Sequence, residues 1–245
     1  MCTVSYLPLT GGFQLVSNRD ERASRGIAYI PRSLGYSGDV ALFAMDRQAG
    51  GTWLAFSLRG RVACLLNGAF QKHKSMPPYR RSRGLVLLDW FGFPSAQTFH
   101  DEYDFTGIEP FTLILIDLQR RLWELRWTGT QKFLHEVNAN QVQQWSSVTL
   151  YDADTAERKK QWLLNHLPND RQLSVFELAE LHKHFLYERW VEKEQRVPEV
   201  HTLSISVVQL QGQQVEWYYS NCWIRPDFKR HFVIPLLDSV ASQSA

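Results

Sequence analysis

Strand-length apolar segments joined in pairs by tight turns recur along this chain. They limit it to folds built from antiparallel β-hairpins. Val4 to Leu9 and Phe13 to Ser17 flank Gly11-Gly12. Thr52 to Leu58 and Val62 to Leu66 flank Arg59-Gly60-Arg61. Phe111 to Asp117 and Arg121 to Thr128 form a third pair, and Thr202 to Leu210 returns through Gly212 to Val215 to Tyr219. The last pair alternates Leu203, Ile205 and Val207 against Thr202, Ser204 and Ser206, the period of a strand.

Helical patterns gather after residue 150. Asp154 to Leu167 starts with an acidic N-cap candidate and stops before Pro168. Ser174 to Trp190 reads as one helix, with Ser174 and Glu177 spaced as a capping box and Val175, Leu178, Leu181 and Phe185 on its apolar face. A shorter helix fits Arg83 to Phe91. Hairpins plus a few amphipathic helices make an α+β chain, and two sheets packed face to face with helices outside is the layer arrangement that buries both kinds of element.

With 44% apolar and 21% charged residues, the 245-residue chain can fill a substantial core. No linker or repeat divides it, so residues 1–238 are expected to form one domain, with a flexible tail over 239–245. A formal net charge of +2 gives no electrostatic reason to expect a nucleic-acid partner. The basic run Tyr79-Arg80-Arg81-Ser82-Arg83 reads either as a solvated turn before a helix or as an anion-binding mouth beside a pocket. No apolar stretch approaches the roughly 18 residues that span a bilayer, and no secretory signal pattern is present. Three cysteines, Cys2, Cys64 and Cys222, are too few and too odd in number for a disulfide framework, so a reducing, cytoplasmic setting is expected. His182-Lys183-His184 lacks a third ligand at recognisable spacing, so no metal or cofactor is expected.

Three features carry possible chemistry. Once Met1 is removed, Cys2 holds a thiol of reference pKa about 8.5 and an α-amine of roughly 7.7–8.0, nucleophile and base in one residue. The bland alternative is a small residue opening a strand. Asn18-Arg19-Asp20-Glu21 ends the strand that returns beside Cys2, so Arg19 is placed to stabilise a thiolate, and Asp20 to fix Arg19 or accept from the amino terminus. The alternative is a charged loop paired with itself. Gly50-Gly51-Thr52-Trp53 opens a strand whose partner ends at Asn67, a carboxamide able to donate to an oxyanion or simply a turn residue before Gly68. Cys64, between Ala63 and Leu65, reads as inert core.

Met1-Cys2-Thr3-Val4, Asn18-Arg19-Asp20-Glu21, Gly50-Gly51-Thr52-Trp53-Leu54 and Leu66-Asn67, in this order, resemble the NRDE family, relatives of transport-and-Golgi-organisation protein 2. A weaker match covers Trp145 to Tyr151 with Arg158-Lys159, and His201 to Ser206. The family is similar to the choloylglycine hydrolase and penicillin V acylase branch of N-terminal-nucleophile hydrolases. The resemblance implies a four-layer αββα sandwich and hydrolysis of a non-peptide carbon–nitrogen amide bond in a small-molecule substrate. It makes Cys2 the nucleophile, Arg19 its neighbouring arginine, Asp20 the acid at the amino group and Asn67 the oxyanion donor. The chain departs from the pattern twice. Asp20 follows Arg19 directly instead of three residues later, so both reach one pocket only if the chain turns there. Ser146-Ser147 stands where many relatives have Ser-Asn. A second reading is a non-catalytic ligand or haem carrier on the same fold, with His182 and His184 as the first axial candidates, although surface helix histidines are the simpler reading.

Overall fold

The opening hairpin forms where the alternation places it. In the computed structural model, which describes residues 3–36, 39–223 and 228–237, β1 (Thr3–Leu9) turns into β2 (Gly12–Arg22) with Thr3 opposite Asn18. Cys2 and the tail 239–245 lie outside the described residues. The chain continues through β3 (Tyr29–Tyr36), β4 (Asp39–Met45), β5 (Leu54–Ser57), β6 (Val62–Asn67), α1 (Arg83–Asp89) and α2 (Ala96–Glu102). Then come β7 (Phe111–Ile116), β8 (Leu122–Trp127), β9 (Lys132–Val137), β10 (Gln143–Ser146), α3 (Ala153–His166), α4 (Val175–His182) and α5 (Tyr187–Trp190). The last elements are β11 (Val200–Gln211), β12 (Gln214–Asn221) and β13 (Lys229–Pro235).

Two antiparallel sheets result, ordered β10-β1-β2-β11-β12-β13 and β3-β4-β5-β6-β7-β8-β9. Strand alternation then sorts side chains into layers. Val4, Leu15, Cys64, Leu66, Ile114 and Val208 fill the space between the sheets. Ala63, Leu65, Leu113 and Leu115 point the other way, against Val86, Leu87 and Phe99 of α1 and α2. Val16 and Val207 meet Val175 and Leu178 of α4 on the opposite outer face. The architecture is the αββα sandwich, and β7 is apolar at every position but Thr112 because it is buried on both faces. Each fully buried Leu, Val or Phe contributes roughly 1.5–3 kcal/mol.

The sequence analysis leaves β3, β4, β9, β10, β13 and α2 unassigned. Four of these strands are the outer edges of the two sheets. Edge strands carry weaker apolar patterns: β9 has no buried residue, and β3 contains Pro31. The single helix expected over 174–190 is interrupted. Its capping box is present, but α4 ends at His182, a 3-10 turn covers Lys183–Phe185, and Leu186 is extended before α5. The cause lies in β2: the Asn18 side-chain amide donates to the carbonyls of His182 (3.1 Å) and Phe185 (3.0 Å), replacing helical bonds at the break. α3 also starts slightly before its expected position, capped by Asp152, whose carboxylate accepts from the Thr155 N–H at 2.7 Å.

Candidate active site

Arg19 and Asp20 lie back to back. β2 stays extended through both, so the turn needed to bring them into one pocket does not occur, and strand alternation sends them to opposite faces. The irregularity falls on the partner strand instead: Thr202 pairs with Asp20 and Ser204 with Arg19, leaving Leu203 as the extra residue of a bulge. Arg19 faces the layer between the sheets, almost wholly buried. Its Nη2 meets Asp46 Oδ2 at 2.6 Å, its Nη1 donates to the Gly26 carbonyl at 3.1 Å, and its guanidinium lies 4.6 Å from the Trp53 ring centre. The carboxylate fixing Arg19 is therefore Asp46, not Asp20. Burial works against charge on Asp46, but the Ala49 N–H and the Arg19 and Arg25 guanidiniums outweigh it and hold its carboxyl below the usual range.

The paired glycines build the next wall. Gly50 has φ of 67°, which suits glycine. At Gly51 an added Cβ would stand 2.6 Å from the carbonyl carbon of Gly84, and Thr52 N–H donates to the Gly84 carbonyl at 3.2 Å. Only glycine lets the entry to β5 dock so closely on the start of α1. That docking brings Ser82 and Arg83 beside Trp53. Asn67, the last residue of β6, completes the ring: Arg19, Asp46, Trp53, Asn67, Ser82 and Arg83 all line one pocket of about 90 Å³. Ser147, which stands in place of the expected asparagine, donates its hydroxyl to the Asn67 carbonyl at 2.7 Å and so ties the end of β10 to the end of β6. The Asn67 side-chain amide forms no hydrogen bond among the described residues, which leaves its donors open.

On the other face, Asp20 is buried and accepts from Thr202 Oγ1 at 2.5 Å and from the Tyr151 hydroxyl at 2.8 Å. Burial raises its pKa, against the opposing charge of Lys159 and the Thr202 hydrogen bond. Lys159, on α3, is itself fully buried; its ammonium donates to Thr3 Oγ1 and lies 3.5 Å from the Tyr151 ring centre. Sequence reasoning gave Lys159, Tyr151, Thr202 and Asp46 no role. Lys159 sits in the run Glu157-Arg158-Lys159-Lys160, which reads as a solvated face, and only its position on the inner side of α3 distinguishes it.

The sequence pattern of the Transport and Golgi organisation 2 family matches residues 6–223. The chain belongs to that family. The stretch characteristic of the Transport and Golgi organisation 2 family holds Arg19, Asp20, Asp46, Asn67 and Lys159, and it begins after Cys2. The chain is also similar to a cysteine-to-alanine mutant of conjugated bile acid hydrolase from Clostridium perfringens, with a TM-score of 0.60 and 13% identity over 96% of this chain and 92% of that one. An arginine-to-leucine variant of the same hydrolase gives 0.57 and 12% over 98% of each chain. Penicillin V acylase from Agrobacterium tumefaciens gives 0.57 and 12% over 94% and 85%. At such identities the likeness is one of fold, that of the N-terminal-nucleophile hydrolases. No curated protein matches the sequence.

The remaining candidates of this family member lie away from the pocket. His182 is not on the surface: it is buried, its Nδ1 is 3.1 Å from Asn18 Oδ1, and burial together with the Lys159 charge pushes its pKa down to about 3. His184 stacks on Trp162 with ring centres 3.6 Å apart. Among the described residues no three His, Cys, Asp or Glu side chains are grouped to hold a metal ion. Cys64 is buried and its thiol is pushed up to about 12 by desolvation. The basic run divides. Arg81 forms two 2.6 Å bonds to Asp89, whereas Arg83 pairs with Glu109 at 3.0 Å and reaches the pocket. No helix of the described residues is long and apolar enough to cross a membrane.

Proposed function

We propose that the chain hydrolyses a non-peptide amide bond of a small molecule, using Cys2 as N-terminal nucleophile after Met1 is removed. The observation that carries this reading is that Arg19 and Asn67, from different sheets, line one pocket. Thr3, which follows Cys2 in the sequence, pairs with Asn18, which precedes Arg19.

In this reading the α-amine takes the thiol proton, and the Arg19 charge favours the thiolate. Sulfur attacks the amide carbonyl while the open Asn67 amide donates to the oxyanion. The carbon–nitrogen bond breaks, the amine leaves with the proton, and a thioester remains. Water, deprotonated by the α-amine, then releases the carboxylic acid and restores the thiol. Asp20 is the acid for the α-amino group. Its carboxylate lies on the face of β2 opposite Arg19, near Lys159, which donates to Thr3. The sparse cysteines support a reducing, cytoplasmic setting.

The test combines intact mass with a β-lactone thiol probe. Loss of Met1, labelling at Cys2 but not at Cys64 or Cys222, and a Cys2→Ala variant without turnover are expected. Retention of Met1, or full amide turnover by Cys2→Ala, overturns the assignment.

A further inference from the structure

Two residues that line the pocket each carry a buried hydrogen-bonding atom left unpaired among the described residues. Trp53 is 1% exposed, and its Nε1 has no partner among the described residues. Ser82 occupies the N-cap of α1 with extended φ and ψ, where a serine hydroxyl normally accepts from the helix backbone, yet it makes no capping bond, and its buried Oγ has no partner among the described residues. Native proteins satisfy most buried polar groups, and of the described residues with an unpaired buried side-chain atom, Trp53 and Ser82 are the two that line this pocket. The cations around them are already matched: Arg19 and Arg25 with Asp46, and Arg83 with Glu109. The unused capacity is therefore neutral. Besides the Asn67 amide, it consists of an indole N–H, which only donates, and a hydroxyl.

We propose that Ser82 and Trp53 bind the substrate's acyl part and select short acyl groups carrying an uncharged oxygen, a hydroxyl or a ketone, over plain alkyl or carboxylate-bearing ones. This rests on the hydrolase reading and names its substrate class. The small volume and the polar lining of Arg19, Asp46, Asn67 and Arg83 fit a short oxygenated acyl group and not a long aliphatic chain. A site that hydrogen-bonds a substrate hydroxyl discriminates strongly against the analogue lacking it, because the analogue leaves buried groups unpaired.

The experiment uses matched amides of one reporter amine: lactoyl against isobutyryl, and 3-hydroxybutanoyl against 3-methylbutanoyl, where a hydroxyl replaces a methyl of similar size. The wild-type protein is expected to prefer at least one hydroxyacyl member by tenfold or more in kcat/KM. Ser82→Ala should bring that ratio near one, Ser82→Thr should keep most of it, and Trp53→Phe, which keeps the ring and removes the N–H, should lower it independently. An unchanged ratio in both Ser82→Ala and Trp53→Phe, or an equal wild-type preference for the alkyl partners, overturns the proposal. Binding of lactamide and isobutyramide to the Cys2→Ala protein by titration calorimetry separates the two readings. If no amide is cut but lactamide binds tighter in a Ser82-dependent way, hydrolysis fails and the pocket assignment stands. Equal binding of both amides, unaffected by Ser82→Ala, overturns the pocket assignment.

Discussion

Asp46 meets the buried Arg19 guanidinium at 2.6 Å while accepting backbone N–H bonds from Gln48 (3.0 Å) and Ala49 (2.8 Å) in its own turn. One carboxylate thus shapes the loop before Gly50 and holds the cation of the pocket. Asp46→Ala leaves that cation buried and uncompensated. Breaking a buried pair in this way costs about 3–5 kcal/mol. Chemical denaturation of wild type and variant checks the size of the loss, and a difference within about 0.5 kcal/mol would remove Asp46 from this role.

Acid should unfold the protein in two overlapping steps, with His182 acting first. Its folded pKa lies near 3, below the ordinary value of 6.5, so between those limits the unfolded chain binds the extra proton. The stability from neutral, buried His182 is fully present above about pH 6.5 and is lost as the pH falls toward 3, with a slope approaching about 1.4 kcal/mol per pH unit. Asp46, whose folded pKa is lowered, acts in the next window down: its contribution is present above its unfolded value and disappears as the pH drops through the folded one. Denaturation midpoints from pH 7 to 4 should fall for wild type and flatten for His182→Gln. Parallel curves would contradict the assignment.

The contact between Gly51 and Gly84 predicts a position where a methyl group matters. Gly51→Ala must push β5 away from the start of α1, because the new atom meets backbone and not a movable side chain. Overpacking of this kind costs about 1–3 kcal/mol. It should also reduce probe labelling at Cys2, since Ser82, Trp53 and Arg19 line the space that shifts. A crystal structure of Gly51→Ala with the pocket unaltered would refute this.

The interior of this fold was more legible than its margins. β7 shows in the sequence because burial on both faces gives it a nearly continuous apolar run, and β11 because Thr202 to Val207 alternate in polarity from one face to the other. The edges β3, β9, β10 and β13 do not, because each has a neighbour on one side only and little apolar surface to signal it. In the candidate site, Arg19, Asp20 and Asn67 stood out by residue type and order. Their surroundings did not. Asp46 is a lone acid in a turn, and Lys159 is one lysine in a charged run until the docking of α3 buries it. The break after His182 was hidden because its cause, Asn18, is 164 residues away in the chain.

β2 acts as a partition one residue thick. Its guanidinium looks into a cavity and its next carboxylate toward the buried hydroxyls of Tyr151 and Thr202, so the electrostatic identity of both compartments is written in a single backbone phase. A one-residue insertion between Phe13 and Ser17 that shifted the pairing would exchange them together, moving a cation among the helices and an acid into the cavity. This short ribbon should therefore tolerate side-chain replacement far better than any change in length.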